Sequence, residues 1–232
     1  ILINSDIITD IDLKSVIDFH KNKNSQLTLV VKQDHSLEQY DPIEICKDGR
    51  IAHFVGASSM DLPNNTTRVM FTGIQIMEPQ IFERIPSGQF CGTTEDVFPK
   101  MVEDGMPVYG YLYDGYWKDM GSPKSYLQVN ADALDEKVHL KGISSHEHDE
   151  TLIRPPVLIG PSCNIAKDSQ IGPHTIIGPK CIIKNGAKIE NSIVWEGVTI
   201  GARSEIKNSI IAQNSIIGEG KIINEKSIIA KT

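Results

Sequence analysis

The chain has 232 residues, long enough for two modest domains, with 40% of them hydrophobic as is ordinary for globular protein and a formal net charge of -7. That acidity, with no Lys/Arg stripe, argues against nucleic acid or an anionic membrane as the main partner. No apolar run approaches the roughly 18 to 20 residues of a membrane span, and the amino end lacks a signal-peptide layout, so a cytoplasmic protein is expected.

Residues 1–5 read as a buried strand. The chain opens on Ile1-Leu2-Ile3 without an initiator Met, which suggests the carboxy-terminal part of something longer. Residues 12–22 read as a helix with Leu13, Val16, Ile17 and His20 on one face, and 26–31 as a second strand. Strand, helix, strand at this spacing predicts a βαβ unit in a parallel sheet, with a ligand site at the carboxyl ends of the strands, where Asn4-Ser5-Asp6 lies. Segments 42–46 and 51–55 flank Lys47-Asp48-Gly49-Arg50 as a hairpin, and 69–77 is a strand interrupted by Gly73. Helices are expected at 78–85, 94–104 and 123–134, and a strand at 107–113.

A polar linker covers 135–151. Its His146-Glu147-His148 invites a metal reading but reads better as a solvated loop, since no further ligand is in evidence. The four cysteines, Cys46, Cys91, Cys163 and Cys181, lack paired spacing and read as packing residues, neither disulfides nor zinc ligands.

From residue 159 the pattern changes period. Ile159, Ile165, Ile171, Ile177, Ile183 and Ile189 recur every six residues; a five-residue step leads to Val194, then Ile200 and Ile206, another to Ile211, then Ile217, Ile223 and Ile229. One branched apolar residue per hexad is the signature of a parallel β-helix, in which each short strand puts one side chain into a narrow core. Two residues before the rungs stand mostly small side chains, among them Cys163, Ser169, Thr175, Cys181, Ala187, Ser192, Ser204 and Ser209, as crowded corners require. Glycines directly after several rungs read as supplying backbone freedom at bends. The two short steps, Ile189-Glu190-Asn191-Ser192-Ile193-Val194 and Ile206-Lys207-Asn208-Ser209-Ile210-Ile211, imply one shortened corner per coil. His174 sits at a corner and reads as an outward-facing polar residue.

Asn4-Ser5-Asp6-Ile7, Phe71-Thr72-Gly73-Ile74-Gln75, Glu95-Asp96-Val97-Phe98-Pro99 and Asp114-Gly115-Tyr116-Trp117-Lys118-Asp119-Met120-Gly121-Ser122-Pro123, followed by hexads, resemble the sugar-phosphate nucleotidyltransferases, and among them the mannose-1-phosphate guanylyltransferase-like proteins. The resemblance implies an α/β fold in which a partial Rossmann-like nucleotidyltransferase domain (1–134) is followed by the linker and a left-handed parallel β-helix (152–232). It also implies synthesis of a nucleotide-sugar from a nucleoside triphosphate, GTP first among them, and a sugar 1-phosphate, with self-association through the β-helix. Because that reaction brings two anionic groups together, a divalent cation must screen them, and Mg2+ suits one or two carboxylates plus phosphate oxygens.

By this resemblance Asp6 and Asp119 are the catalytic metal carboxylates, Gly73 lets backbone approach the sugar, and Trp117 presents a face or edge beside it. Each has a plainer reading: a helix cap for Asp6, a bulge for Gly73, a core residue for Trp117. The chain also departs from the family. A glycine-rich triphosphate loop with its Arg is absent, so the chain alone is expected to be inactive. Tyr40-Asp41-Pro42 replaces an aromatic-glycine pair, and Phe54-Val55-Gly56-Ala57-Ser58 stands where a Glu-Lys-Pro usually meets the sugar phosphate. These departures keep open a non-catalytic regulatory or scaffold homologue, and the hexads keep open a hexapeptide acyltransferase, for which the first 130 residues have no use. In the latter a histidine placed like His174 acts as general base.

Overall fold

The computed structural model describes residues 1–33, 43–59, 65–138 and 152–228, which form two compact units, Ile1–Trp117 and Lys118–Thr232. The linker segment with His146-Glu147-His148, the Tyr40-Asp41-Pro42 site and the last rung, Ile229, lie outside the described residues.

The first unit runs β1 (Leu2–Ile3), β2 (Ile7–Thr9), α1 (Leu13–Asn22), β3 (Leu27–Gln33), β4 (Ile43–Ile45), β5 (Ile51–Phe54), β6 (Ala57–Ser58) and β7 (Thr67–Met77). A 3-10 turn at Pro79–Arg84 and a π turn at Thr93–Val97 precede α2 (Phe98–Glu103) and β8 (Val108–Leu112); β9 (Trp117–Asp119) starts on the last residue of this unit and ends in the second. Helix α1 starts where the Asp12 carboxylate accepts the Lys14 amide, satisfying one orphan N–H of the first turn, and it buries Val16 and His20 as its period requires. Buried His20 is matched to Thr28 Oγ1 at 2.8 Å and Glu78 Oε1 at 3.1 Å, so its polarity is satisfied inside the fold.

The sheet has the order β6-β5-β4-β7-β3-β8, with β1 added to β7. Strand β3 is its spine. Leu27, Leu29 and Val31 pack in one core with Phe98, Met101 and Val102, whereas Val30 points to the other, with Val16 and Ile74. The side-chain period of two makes one strand serve both layers.

The opening residues do not form a buried strand: Ile1, Leu2 and Ile3 are 60%, 45% and 42% exposed, because β1 lies beside only the second half of β7. Nor do β1, α1 and β3 make a continuous parallel sheet. Both strands run antiparallel to β7, and β3–β8 is the parallel pair. The apolar pattern of the strands carries no record of which neighbour they take; the long β7 inserts from far along the chain. The helix expected at 78–85 is a 3-10 turn, whereas the one expected at 94–104 is present as the π turn continued by α2.

The second unit begins with α3 (Pro123–Leu134), whose start is fixed by a capping box between Ser122 and Ser125, with Pro123 in the first turn. The coils follow the ladder. Ile159, Ile177, Val194 and Ile211 stack on one face. Ile165, Ile183, Ile200 and Ile217 form the second, and Ile171, Ile189, Ile206 and Ile223 the third. All these pairings are parallel and join one core. The short corner recurs a third time: Ile211 pairs with Ile228, so the backbone register ends the ladder one residue before Ile229.

Buried small residues at the corners keep their polar atoms satisfied. Ser192 Oγ donates to the Glu190 carbonyl at 2.7 Å and accepts the Ser209 amide at 3.1 Å one coil later. The glycines after the rungs serve chiefly another purpose than bending. A Cβ on Gly178 would stand 2.7 Å from the Glu196 amide nitrogen, so the next coil's backbone leaves no room for one. The left-handed corners are held largely by other residues, including Asn191, Asn208 and Asn214. Asn191 and Asn208 are also linked, through an amide-to-amide bond of 2.6 Å.

An inward charge in this core has no partner, whereas an outward one stays hydrated. Ile177→Asp should therefore abolish the cooperative melt of the coils, while Ile216→Asp, at a position 79% exposed, should shift stability by no more than about 0.5 kcal/mol. Thermal unfolding followed by circular dichroism compares the two.

Candidate functional site

The site expected at the carboxyl end of β1 is built around an irregularity in β7. Between Leu29↔Gln75 and Val31↔Phe71 the register advances two residues on β3 but four on β7, so the backbone bulges at 72–74. Gly73 sits there with φ +76°, a conformation that costs a residue with a Cβ about 1–2 kcal/mol. Space is equally restrictive. A Cβ at 73 would lie 2.6 Å from Ile7 Cδ1 and 2.7 Å from Asn4 Nδ2. The Asn4 amide donates to the Gly73 carbonyl at 3.0 Å. The place of the missing side chain is thus filled by side-chain ends from the segment that carries Asp6, which would have to move aside for a Cβ, while the positive φ disfavours any residue but glycine.

Thr72, next to Gly73, connects the bulge in two directions. Its hydroxyl donates to the Val30 carbonyl at 2.8 Å, and its carbonyl accepts Trp117 Nε1 at 2.9 Å. Trp117 is half-buried, its N–H engaged, its ring fixed beside the bulge. Gly73, Trp117 and the strand end leading to Asp6 are therefore brought together within the first unit.

Asp6 is exposed and makes no hydrogen bond or ion pair among the described residues. Asp119 is also exposed; it ends β9 in the second unit, and its Oδ1 accepts the Gly121 amide at 2.5 Å. Neither is a helix cap: α1 is capped by Asp12 and α3 by Ser122. Two exposed carboxylates with oxygens to spare are hard donors of the kind magnesium takes. Among the described residues there is no group of three or more His, Cys, Asp or Glu that could hold a metal ion.

Where a Glu-Lys-Pro was expected to be missing, Val55 and Gly56 form the turn between β5 and β6 with positive φ, and Ala57 is buried. That turn offers a sugar phosphate no charge. His174 is held at 2.8 Å by Asp135, whose carboxyl lies below the usual range because of the His174 hydrogen bond first and Lys137 second. Residues that sequence reasoning missed are Asp10, Lys32 and Tyr113, which gather on the loop before Trp117. Burial, then the hydrogen bond to Asp10, push the Tyr113 hydroxyl up to about 12, so it remains a donor at neutral pH. Only their separation in sequence hid them.

A family model described as Nucleotidyl transferase matches residues 1–136, and one described as GMPPB C-terminal domain matches residues 153–232. The chain is 27% identical over 217 residues to the UTP–glucose-1-phosphate uridylyltransferase of Synechocystis, covering 87% of this chain and 55% of that protein. It is 25% identical over 205 residues to the mannose-1-phosphate guanylyltransferase of Mycobacterium tuberculosis, covering 86% and 53%. Against the glucose-1-phosphate adenylyltransferase of Clostridium novyi it is 28% identical over 215 residues, covering 88% and 53%. The chain spans about half the length of these curated relatives. No helix among the described residues is long and apolar enough to cross a membrane.

If the indole N–H fixes the wall beside Gly73, Trp117→Phe leaves the Thr72 carbonyl without that donor and should cost about 1–3 kcal/mol. Trp195→Phe, on the β-helix surface, should cost no more than about 0.5 kcal/mol. Urea unfolding of the two variants makes the comparison.

Proposed function

Because the chain belongs to the Nucleotidyl transferase family, matched over residues 1–136, we propose that the protein joins a sugar 1-phosphate to a nucleoside triphosphate with release of pyrophosphate. The observation that carries this is the wall at the β7 bulge, where Gly73, Asn4 and Trp117 meet at the strand end bearing Asp6, which has no partner among the described residues. A sugar-phosphate oxygen attacks the α-phosphorus, forming one P–O bond as the bond to the β-phosphate oxygen breaks and pyrophosphate leaves. Asp6 and Asp119 would hold magnesium. When bound, that ion screens the charge that brings the two phosphates together. Trp117 presents its ring to the sugar while Thr72 occupies its N–H, so it supplies shape in place of a hydrogen bond.

For the substrates, GTP and mannose 1-phosphate are our choice. Support comes from the match of residues 153–232 to the GMPPB C-terminal domain and from relatives named mannose-1-phosphate guanylyltransferase, although others are named for UTP and glucose 1-phosphate. A cytoplasmic setting goes with this reading, as does self-association through the β-helix, where Ile182 and Ile222 are exposed. One observation favours the rival reading of a non-catalytic regulatory homologue: the uncharged Val55-Gly56-Ala57 turn where a lysine would meet phosphate.

Pyrophosphate release by the whole protein that carries this chain decides between them. Folded protein should turn over GTP with mannose 1-phosphate faster than UTP or ATP with glucose 1-phosphate. Asp6→Asn and Asp119→Asn should each lower kcat about 10²–10³-fold without loss of fold. No release with any pair hands the protein to the regulatory reading.

A further inference from the structure

The loop Tyr113–Trp117 is held at almost every residue, from three separate elements. The Tyr113 amide donates to the Val31 carbonyl at 2.8 Å. From the end of β2, Asp10 Oδ1 accepts both the Tyr113 hydroxyl and the Tyr116 amide, the latter at 3.0 Å. From β3, Lys32 Nζ donates to the Gly115 carbonyl at 2.6 Å and lies 5.1 Å from the centre of the Tyr113 ring. A side chain at 115 would run into Tyr113, so the loop closes on itself only through glycine. From β7, the Thr72 carbonyl takes Trp117 Nε1.

Two opposite charges therefore converge on one short loop. Each is directed at loop groups, chiefly backbone amide and carbonyl, in charge-assisted bonds that are stronger and more directional than neutral ones. Ordinary surface turns carry no such constraint. A carboxylate and an ammonium that both meet Tyr113 and hold the adjacent residues 115 and 116 restrict the backbone that leads directly into Trp117. Holding reacting groups in one geometry removes orientational entropy from the barrier, and small misplacements are costly.

We propose that Asp10 and Lys32 are positioning residues for the transfer reaction: they preorganise the Tyr113–Trp117 loop and thereby the Trp117 ring against the substrate. This rests on the enzymatic reading of the preceding subsection. Neither side chain need touch substrate; each acts through the loop. One Asp10 oxygen serves a side chain and a backbone amide, and Lys32 serves a backbone carbonyl and the same ring.

The test uses the full protein with Trp195→Phe, which leaves Trp117 the reporter within this chain, since the chain has two tryptophans. Asp10→Ala and Lys32→Met should each red-shift Trp117 emission and raise its quenching by acrylamide. Asp10→Asn keeps an oxygen acceptor and should restore most of the native signal. In turnover, Asp10→Ala should lower kcat about 10–100-fold with KM little changed, and Asp10→Asn should recover much of that loss.

Unchanged emission and quenching in Asp10→Ala overturn the clamp itself. Changed emission with full activity overturns the positioning role while leaving the enzyme reading intact. Changed emission in a protein whose parent form is inactive overturns the enzyme reading, and the positioning role with it.

Discussion

Everything that gathers at the candidate site depends on one close approach of backbone to side chain at Gly73. The bulge in β7 turns that residue's bare α-carbon toward Asn4 and Ile7, and the Asn4 amide closes onto its carbonyl. This seats the short, exposed β1 and the Asp6 that follows it. The same bulge presents the Thr72 carbonyl to Trp117. A regular β7 would offer neither the space nor that carbonyl. The irregularity, more than the regular sheet around it, is what makes this end of the domain chemically usable.

The two units solve the problem of burying apolar surface in opposite ways. In the first, β3 is covered on both faces and each face draws on distant parts of the chain, Phe98 and Met101 on one side, Val16 and Ile74 on the other. In the second, each rung meets its equivalent 17 or 18 residues away, and the corners are closed by serine hydroxyls bonded to backbone. Local repetition needs no long-range information. The globular unit needs a great deal.

That difference explains what was legible. The ladder gave its core rung by rung from Ile159 to Ile223, and even the shortened corners could be read from Asn191-Ser192 and Asn208-Ser209, because one hexad predicts the next. The sheet could be read as strands but not as neighbours: alternation at Leu27–Val31 says that both faces are covered, not that β7 lies between β1 and β3. Gly73 and Trp117 were found by resemblance, and their meeting through Thr72 is tertiary. Asp10 and Lys32 carried no signal, since an isolated Asp after a strand and a Lys within one look like solvated surface until Tyr113 and Gly115 are folded against them. The glycines after the rungs were rightly singled out, but for most the reason is the neighbouring coil's backbone, which no single hexad reveals.

Hydrogen exchange on Gly73→Ala probes the governing constraint most directly. A Cβ there must displace Asn4 and Ile7 and adopt a strained φ, at a combined cost of about 2–4 kcal/mol. The account predicts faster exchange in peptides covering Ile1–Thr9 and Tyr113–Trp117, with the coils from Val157 onward unchanged. Equal protection of Ile1–Thr9 in the variant and the parent would contradict it, and so would a loss spread evenly along the chain.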